Sequence, residues 1–110
     1  MILITGRNKS GKTTFIDISI STENNFIECP LDQFLNLYKE NQSIILIDTP
    51  AILCIKRSEV YNGKSLQLND FKKQDILIEY IRELPNCIII KNDLTIDDFK
   101  VKIKKLLKNI

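Results

Sequence analysis

Four short, mainly apolar runs are spaced along the chain, at residues 2–4, 26–29, 43–48 and 87–90. Runs of this length with little polar alternation are typical of parallel strands that are covered on both faces. Segments with helical signals separate the runs. Because strands that alternate with helices favour a parallel sheet between two helical layers, we expect an α/β fold with about four parallel strands.

Helix signals fill the first intervals. Residues 12–20 follow the first strand and predict a helix, a weak one because many of its residues are β-branched. Pro30 suits the first turn of a second helix. Its apolar stripe is expected to comprise Leu31, Phe34, Leu35 and Tyr38. Thr49 and Pro50 are typical of a third helix start, with Thr49 as the N-cap.

Two longer helices are predicted in the second half. Residues 58–70 have no sustained helical period, so we expect a loop there. A helix over residues 71–84 follows the loop. Thr95 and Asp98 form the capping signal of the last helix. The apolar face of that helix is expected to comprise Ile96, Phe99, Ile103, Leu106, Leu107 and Ile110.

Composition narrows the possible chemistry. The 110 residues fit one domain over 1–110. The chain has no histidine, which excludes Ser-His-Asp and Cys-His catalysis as well as His-ligated zinc and haem. The cysteines, Cys29, Cys54 and Cys87, are far apart and form no C-x-x-C pair, so they indicate reduced thiols in a cytoplasmic protein.

Charge and hydropathy narrow the possible partners. The net charge of +2 is too small to imply a nucleic-acid partner by itself. No apolar run approaches the roughly 18 residues that a membrane span requires, so no membrane partner is expected. Because the first residues are strand-like, we do not expect a signal peptide.

One segment has a specific chemical signature. Residues 6–13 fit the phosphate-binding pattern G-x-x-x-x-G-K-[ST], between a predicted strand and a predicted helix. In such a loop, backbone N–H groups and a helix N-terminus converge on phosphate oxygens. Lys12 is expected to reach the β- and γ-phosphates, and the Thr13 hydroxyl to complete a Mg²⁺ shell. The expected nucleotide contacts are Gly6, Arg7, Asn8, Lys9, Ser10, Gly11, Lys12, Thr13 and Thr14, with ATP and Mg²⁺ as cofactors.

Three further charged residues are candidates with open alternatives. Asp48 ends the third strand, where a carboxylate would face Mg²⁺, or it caps the following helix. Glu28 lies near the end of the second strand and either accepts a proton from the substrate, holds the substrate, or is simply solvated. Arg57 either closes onto the transferring phosphate with the loop or is an exposed cation at a helix end.

The phosphate-binding run, with Thr14 after it, resembles the G-x-D-[RG]-[SA]-G-K-[ST]-T loop of thymidylate kinases. Residues 47–50, followed by Cys54 and Arg57, are similar to the strand–D-x-P–helix–Arg element that leads into the lid of thymidylate and deoxynucleoside kinases. Residues 28–30 are similar to the strand-ending Glu-Pro of deoxynucleoside kinases, whose Glu is the base.

The resemblance implies a P-loop NTPase-like three-layer sandwich around the short parallel sheet, with a lid at about 58–70. It also implies that Lys12 and Arg57 neutralise charge on the transferred phosphoryl group, with Glu28 as the third catalytic residue. The expected activity is ATP-dependent phosphoryl transfer to a nucleoside or nucleoside monophosphate.

The chain departs from that family in the acceptor region. The D-R-[YFS] motif of these kinases is missing, the helical region that accompanies it is reduced to one predicted helix, and Asn8 replaces the P-loop Asp. If Asp48 aligns with the D-x-P strand, it need not be the Mg²⁺ ligand. We therefore expect a homo-oligomer, or a hetero-oligomer with a kinase-like partner. The alternatives are a catalytically silent nucleotide-binding subunit of a heteromeric kinase, or another P-loop ATPase.

Overall fold

The sheet has four parallel strands, as predicted. In the computed structural model, which describes residues 2–7, 10–19, 25–54, 56 and 68–108, the strand order is β2-β1-β3-β4. The strands are β1 (Ile2–Gly6), β2 (Phe26–Pro30), β3 (Ile44–Asp48) and β4 (Cys87–Lys91). Gly6 lies opposite Pro30 of β2 and Ile47 of β3, so the carboxyl ends of the strands form one edge of the sheet. We call this edge the carboxyl edge.

Helices follow each strand. They are α1 (Lys12–Ser19), a 3₁₀ turn (Leu31–Gln33) that continues into α2 (Phe34–Leu37), a helical turn at 51–54, α3 (Leu68–Arg82) and α4 (Ile96–Lys108). Helix α3 begins three residues before the predicted start, so residues 68–70 of the predicted loop are helical. The rest of the predicted lid lies outside the described residues.

Helices cover both faces of the central strands β1 and β3, as the uninterrupted apolar runs predict, but Ile27 of β2 and Ile88 and Ile89 of β4 are exposed on the edge strands. Alternate residues of β3 illustrate the division, because Ile44 and Leu46 pack on one face and Ile45 and Ile47 on the other. The first face is covered by the 31–34 segment and α3, and the second by α1 and α4. This arrangement is compatible with the expected P-loop-like α/β sandwich.

The second predicted helix is shorter than expected, and Leu35 does not belong to its apolar stripe, whereas Leu31, Phe34 and Tyr38 pack in the same cluster. Pro30 is the last residue of β2, with extended backbone angles of φ −56° and ψ 144°. The chain then makes a single 3₁₀ turn, in which residues three apart share a face, so Leu31 and Phe34 are buried. Leu35 is 66% exposed as a consequence, and Tyr38 has left the helix with extended backbone angles.

The capping signal of α4 is confirmed. Thr95 Oγ1 accepts a hydrogen bond from the backbone N–H of Asp98 at 3.1 Å. Phe99 and Ile103 are buried as predicted, and Leu106 and Leu107 pack against the same cluster. Ile96, in the first turn, is 58% exposed, so the buried stripe begins one turn later than expected. Ile110 lies outside the described residues.

Candidate functional site

The loop between β1 and α1 folds at two glycines that approach other backbone or side-chain atoms closely. A Cβ on Gly6 would lie 2.6 Å from the Ile47 carbonyl oxygen. Gly11 has a φ of +113°, and a Cβ there would lie 2.7 Å from both Asn92 Nδ2 and Phe99 Cε2. Since L side chains rarely adopt that φ and neither gap admits a carbon atom, the glycines of the motif are required by the fold of the loop.

Lys12 lies inside this loop. Its Nζ donates hydrogen bonds to the carbonyl oxygens of Gly6, at 3.0 Å, and Arg7, at 2.9 Å. Burial lowers the pKa of Lys12 below its ordinary value, and the nearby Glu28 carboxylate opposes that shift. The loop therefore holds a desolvated cation whose two hydrogen bonds go to neutral oxygens.

The N-terminus of α1 adds backbone donors beside Lys12. The first helical hydrogen bond runs from the N–H of Phe15 to the carbonyl of Gly11 at 3.0 Å. The amides of residues 11–14 precede this ladder and are the donors that an α-helix leaves unsatisfied at its start. Together with the positive end of the helix dipole, they favour an anion at this place.

Two predicted residues meet beside the lysine. Thr13, at the start of α1, is exposed, and its Oγ1 donates to Glu28 Oε1 of β2 at 3.3 Å. Glu28 is the third of the five residues of β2 and pairs with Ile4 of β1, so it lies two residues before the carboxyl edge rather than at the strand end, and its side chain reaches the start of α1 through Thr13. The structure thus brings the exposed side chains of Thr13 and Glu28 close to the buried Lys12, and we call these three residues the polar cluster.

Asp48 lies in a different environment from the polar cluster. Its Oδ2 accepts from Arg82 of α3 at 2.6 Å. Arg82 also lies 3.4 Å from the Glu79 carboxylate. Among the described residues, Asp48 makes neither a helix-capping hydrogen bond nor a contact with Thr13. The metal-ligand interpretation of Asp48 stays a prediction, and the ion pair with Arg82 takes the place of the expected cap as an interaction that the sequence did not indicate.

Arg7 is also directed toward α3. Its buried guanidinium forms an ion pair with Asp75 and donates to Gln74 Oε1 at 3.4 Å. Its backbone carbonyl accepts from Lys12 and from the N–H of Ser10 at 3.0 Å. The Arg7 side chain therefore connects the loop to α3, and the phosphate contact of this residue stays a prediction.

Two residues of the carboxyl edge support the loop in ways that sequence reasoning missed. Thr49 Oγ1 donates to the carbonyl oxygen of Ser10 at 2.9 Å, and Asn92 Nδ2 donates to the same oxygen at 2.6 Å. The prediction that Thr49 is the N-cap is wrong, because its hydroxyl is used here and the helical bonds begin at the carbonyl of Pro50. The signal for Asn92 was a polar amide directly after the apolar fourth strand.

Several predicted features lie outside the described residues, namely Asn8, Lys9 and Arg57. Within the described ranges, no group of three or more acidic or cysteine side chains is arranged to hold a metal ion by itself. In that same part of the chain, no helix has the length and apolar character needed to cross a membrane. In comparisons with known proteins, the sequence matches no family model and has no significant match among characterised proteins.

Proposed function

We propose that residues 6–14 bind the triphosphate of ATP and that the protein transfers the γ-phosphoryl group to a nucleoside or nucleoside monophosphate, as part of an oligomer. The observation that supports this most is the buried Lys12 ammonium between two backbone carbonyls at the start of α1. Among the described residues no carboxylate forms an ion pair with Lys12, and the exposed Glu28 opposes the fall of its pKa without reversing it. A buried cation in this position is costly, and a phosphate would pair with it directly. The leading amides of α1 would donate to the same oxygens.

Magnesium fits the polar cluster better than it fits Asp48. Mg²⁺ takes oxygen ligands and keeps several waters, so it requires only one or two protein groups besides the nucleotide. Thr13 Oγ1 is exposed and donates a 3.3 Å hydrogen bond to Glu28 Oε1, so this hydroxyl oxygen is accessible to the ion. Asp48 would first have to leave Arg82. When bound, the ion would neutralise charge on the β- and γ-phosphates, with Thr13 as its protein ligand and Asp48 as a second candidate.

Glu28 is the candidate base. For a hydroxyl acceptor, the proton moves from the acceptor to a Glu28 carboxylate oxygen while the acceptor oxygen bonds to the γ-phosphorus. The bond from the γ-phosphorus to the bridging oxygen breaks, and ADP leaves. For a monophosphate acceptor no base is needed, and Glu28 would instead orient the substrate. Arg57, through the resemblance, would complete charge neutralisation from the lid.

The oligomer enters the proposal because the acceptor region is short. Between β2 and β3 the chain has only a 3₁₀ turn and the four-residue α2 where nucleotide kinases have a larger helical region. A second chain, of the same kind or a kinase-like partner, would therefore supply part of the acceptor pocket.

The test is a transfer assay with γ-labelled ATP and a panel of nucleosides and nucleoside monophosphates, with native mass measured in parallel. We expect label on one acceptor class. With a nucleoside acceptor, Glu28→Gln should lower kcat by about 10²–10⁴-fold, the usual contribution of a general base. Glu40→Gln, an exposed carboxylate ahead of β3, is the matched control and should retain full activity. Absence of transfer, alone and with a copurifying chain, would refute the kinase proposal.

A catalytically silent nucleotide-binding subunit is the second candidate. It is favoured by the ion pair that occupies Asp48 and by the short acceptor region. In a complex reconstituted with its partner, the Lys12→Ala variant of this chain would retain full activity if the subunit is silent. Loss of activity in that complex would instead place catalysis on this chain.

A further inference from the structure

The carbonyl oxygen of Ser10 accepts two buried side-chain hydrogen bonds. Thr49, which follows β3, donates from 2.9 Å, and Asn92, which follows β4, donates from 2.6 Å. Both side chains come from residues that are at least 95% buried. Two neutral donors on one loop carbonyl specify the direction of that peptide unit much more strongly than one would.

The orientation of this peptide unit determines where the next amide points. In a trans peptide the C=O of Ser10 and the N–H of Gly11 lie in one plane and point in opposite directions. The two donors draw the carbonyl toward the ends of β3 and β4. The N–H of Gly11 is therefore directed away from those strands, at the start of the series of amides that leads α1.

Asn92 is fixed by a backbone hydrogen bond, and its side chain leaves one buried oxygen without a partner among the described residues. Its backbone N–H donates to the Asp48 carbonyl at 2.9 Å, which continues the pairing of β3 with β4. Because a carbonyl can only accept, the side chain must present its NH₂ to Ser10. This leaves Asn92 Oδ1 buried without a hydrogen-bond partner among the described residues. An apolar residue at position 92 would avoid that penalty but would also lack the Nδ2 donor, so the hydrogen bond to Ser10 is what distinguishes asparagine from an apolar residue at this position.

We infer that Thr49 and Asn92 are positioning residues of the phosphate loop, which fix the Ser10–Gly11 peptide so that the Gly11 amide is preset for a phosphate oxygen. The inference rests on the proposed ATP binding. It goes beyond that proposal because neither residue belongs to the loop, to the base or to the metal ligands. An amide that already points at the ligand binds it without the entropic cost of ordering the loop peptide. Loss of this fixed orientation should therefore appear mainly as weaker binding of Mg-ATP.

The experiment compares four variants of the full chain. Thr49→Val removes the hydroxyl with little change of shape, and Asn92→Asp replaces the amide donor with an oxygen that repels the Ser10 carbonyl. Thr49→Ser retains the donor and serves as the rescue. Thr95→Val removes the N-cap hydrogen bond of α4, which is far from the loop in sequence, and serves as the stability control.

Two readouts are needed, the Kd for Mg-ATP by calorimetry and the residual dipolar coupling of the Gly11 N–H in the ligand-free protein. We expect Thr49→Val and Asn92→Asp each to weaken Mg-ATP binding about five- to tenfold and to change the Gly11 coupling. Thr49→Ser should behave as wild type, and Thr95→Val should lower the melting temperature without changing Kd. If Asn92→Asp does not fold, Asn92→Ala removes the same donor without repulsion.

An unchanged Gly11 coupling in both variants would overturn the inference, as would a changed coupling with an unchanged Kd. Loss of affinity in Thr95→Val as large as in Thr49→Val would also overturn it, because general destabilisation would then be the cause. A wild-type chain that does not bind Mg-ATP would refute the proposed function instead. In that case the coupling alone would still decide whether Thr49 and Asn92 orient the loop peptide.

Discussion

The two halves of the carboxyl edge use polar side chains in opposite ways. Beside β1 and β2, the polar cluster contains an exposed carboxylate and hydroxyl next to a lysine whose hydrogen bonds, within the described residues, go to the backbone carbonyls of Gly6 and Arg7. Beside β3 and β4, Thr49 and Asn92 are buried and bind the Ser10 carbonyl, and Asp48 is paired with Arg82. In the proposed function the side chains beside β1 and β2 meet the nucleotide, whereas Thr49 and Asn92 hold the loop that carries Lys12 and Thr13.

This difference shows why a polar residue at the end of a parallel strand is not by itself evidence of a binding site. Ligands bind at this edge of α/β sheets, but the loops there also need internal hydrogen bonds. Exposure and partner type distinguish the two uses. Glu28 is exposed and close to a cation, whereas Asn92 is 4% exposed and bound to backbone.

The largest expected effect is that of Gly11→Ala, which should disturb both the polar cluster and the hydrogen bond from Asn92 to the loop. The new Cβ would collide with the Phe99 ring and the Asn92 amide at a φ that alanine rarely adopts. We expect a loss of about 2–4 kcal/mol in the free energy of unfolding, measured by urea titration. In a Phe99→Leu background the same substitution should cost less, because part of the collision is removed. Equal costs in both backgrounds would show that the ring contact is not the cause.

Lys12→Met tests the polar cluster alone. Removing a charged donor should weaken Mg-ATP binding roughly 10- to 100-fold, since hydrogen bonds to charged groups contribute about 1.5–3 kcal/mol. Lys100→Met, at an exposed position of α4, is the matched control and should bind as wild type. Equal affinities of Lys12→Met and Lys100→Met would remove the loop lysine from the binding site.

Removing the ion pair between Asp48 and Arg82 tests the part of the carboxyl edge beside β3 and β4. Both side chains are partly solvated, so Arg82→Gln should lower the free energy of unfolding by only about 0.5–1 kcal/mol. The double variant with Asp48→Asn should lose less than the sum of the two single losses. Additive losses would mean that the pair does not contribute to stability.

A Mg²⁺ titration of the same variants separates the roles of Asp48. If Asp48 is a metal ligand, Asp48→Asn weakens the Mg²⁺ dependence of ATP binding while Arg82→Gln strengthens it. If Asp48 only fastens α3, neither substitution changes the Mg²⁺ dependence.

The smallest expected effect is proton uptake on binding. In the free protein, burial lowers the pKa of Lys12 below the ordinary lysine value of 10.5, and a phosphate beside it would raise that pKa. Between these two pKa values the free protein is partly deprotonated and the complex is protonated. Binding of Mg-ATP at alkaline pH should therefore take up a fraction of one proton, seen as a dependence of the calorimetric enthalpy on the ionisation enthalpy of the buffer. Lys12→Met should abolish that dependence, and proton release by the wild type would contradict the assignment.

The parts predicted from sequence are those encoded by neighbouring residues. The spacing of Gly6, Gly11 and Lys12 predicts a loop whose two glycines allow close contact with neighbouring atoms and whose lysine begins the next helix. In the structure β1 ends at Gly6 and α1 begins at Lys12. The cap at Thr95 is local in the same way. The four strands could be predicted because each is a continuous apolar run.

The parts that could not be predicted depend on which strand ends become neighbours. Thr49 and Asn92 lie 39 and 82 positions from Ser10, and only the strand order β2-β1-β3-β4 brings them to it. The same holds for Arg7 and its partner on α3. In the case of Leu35, a 3₁₀ turn replaced the expected α-helical start and rotated the stripe, which spacing alone does not reveal.

The proposed binding of the ATP phosphates by the backbone of this loop is tested most directly by an amide-resolved NMR titration of the ¹⁵N-labelled protein with Mg-ATP. If the loop binds the phosphates, saturable shifts will be largest at the amides of Gly11, Lys12, Thr13 and Thr14 and will be lost in Lys12→Met. Shifts centred elsewhere, or no saturable shift for the chain alone and with any copurifying partner, would contradict it.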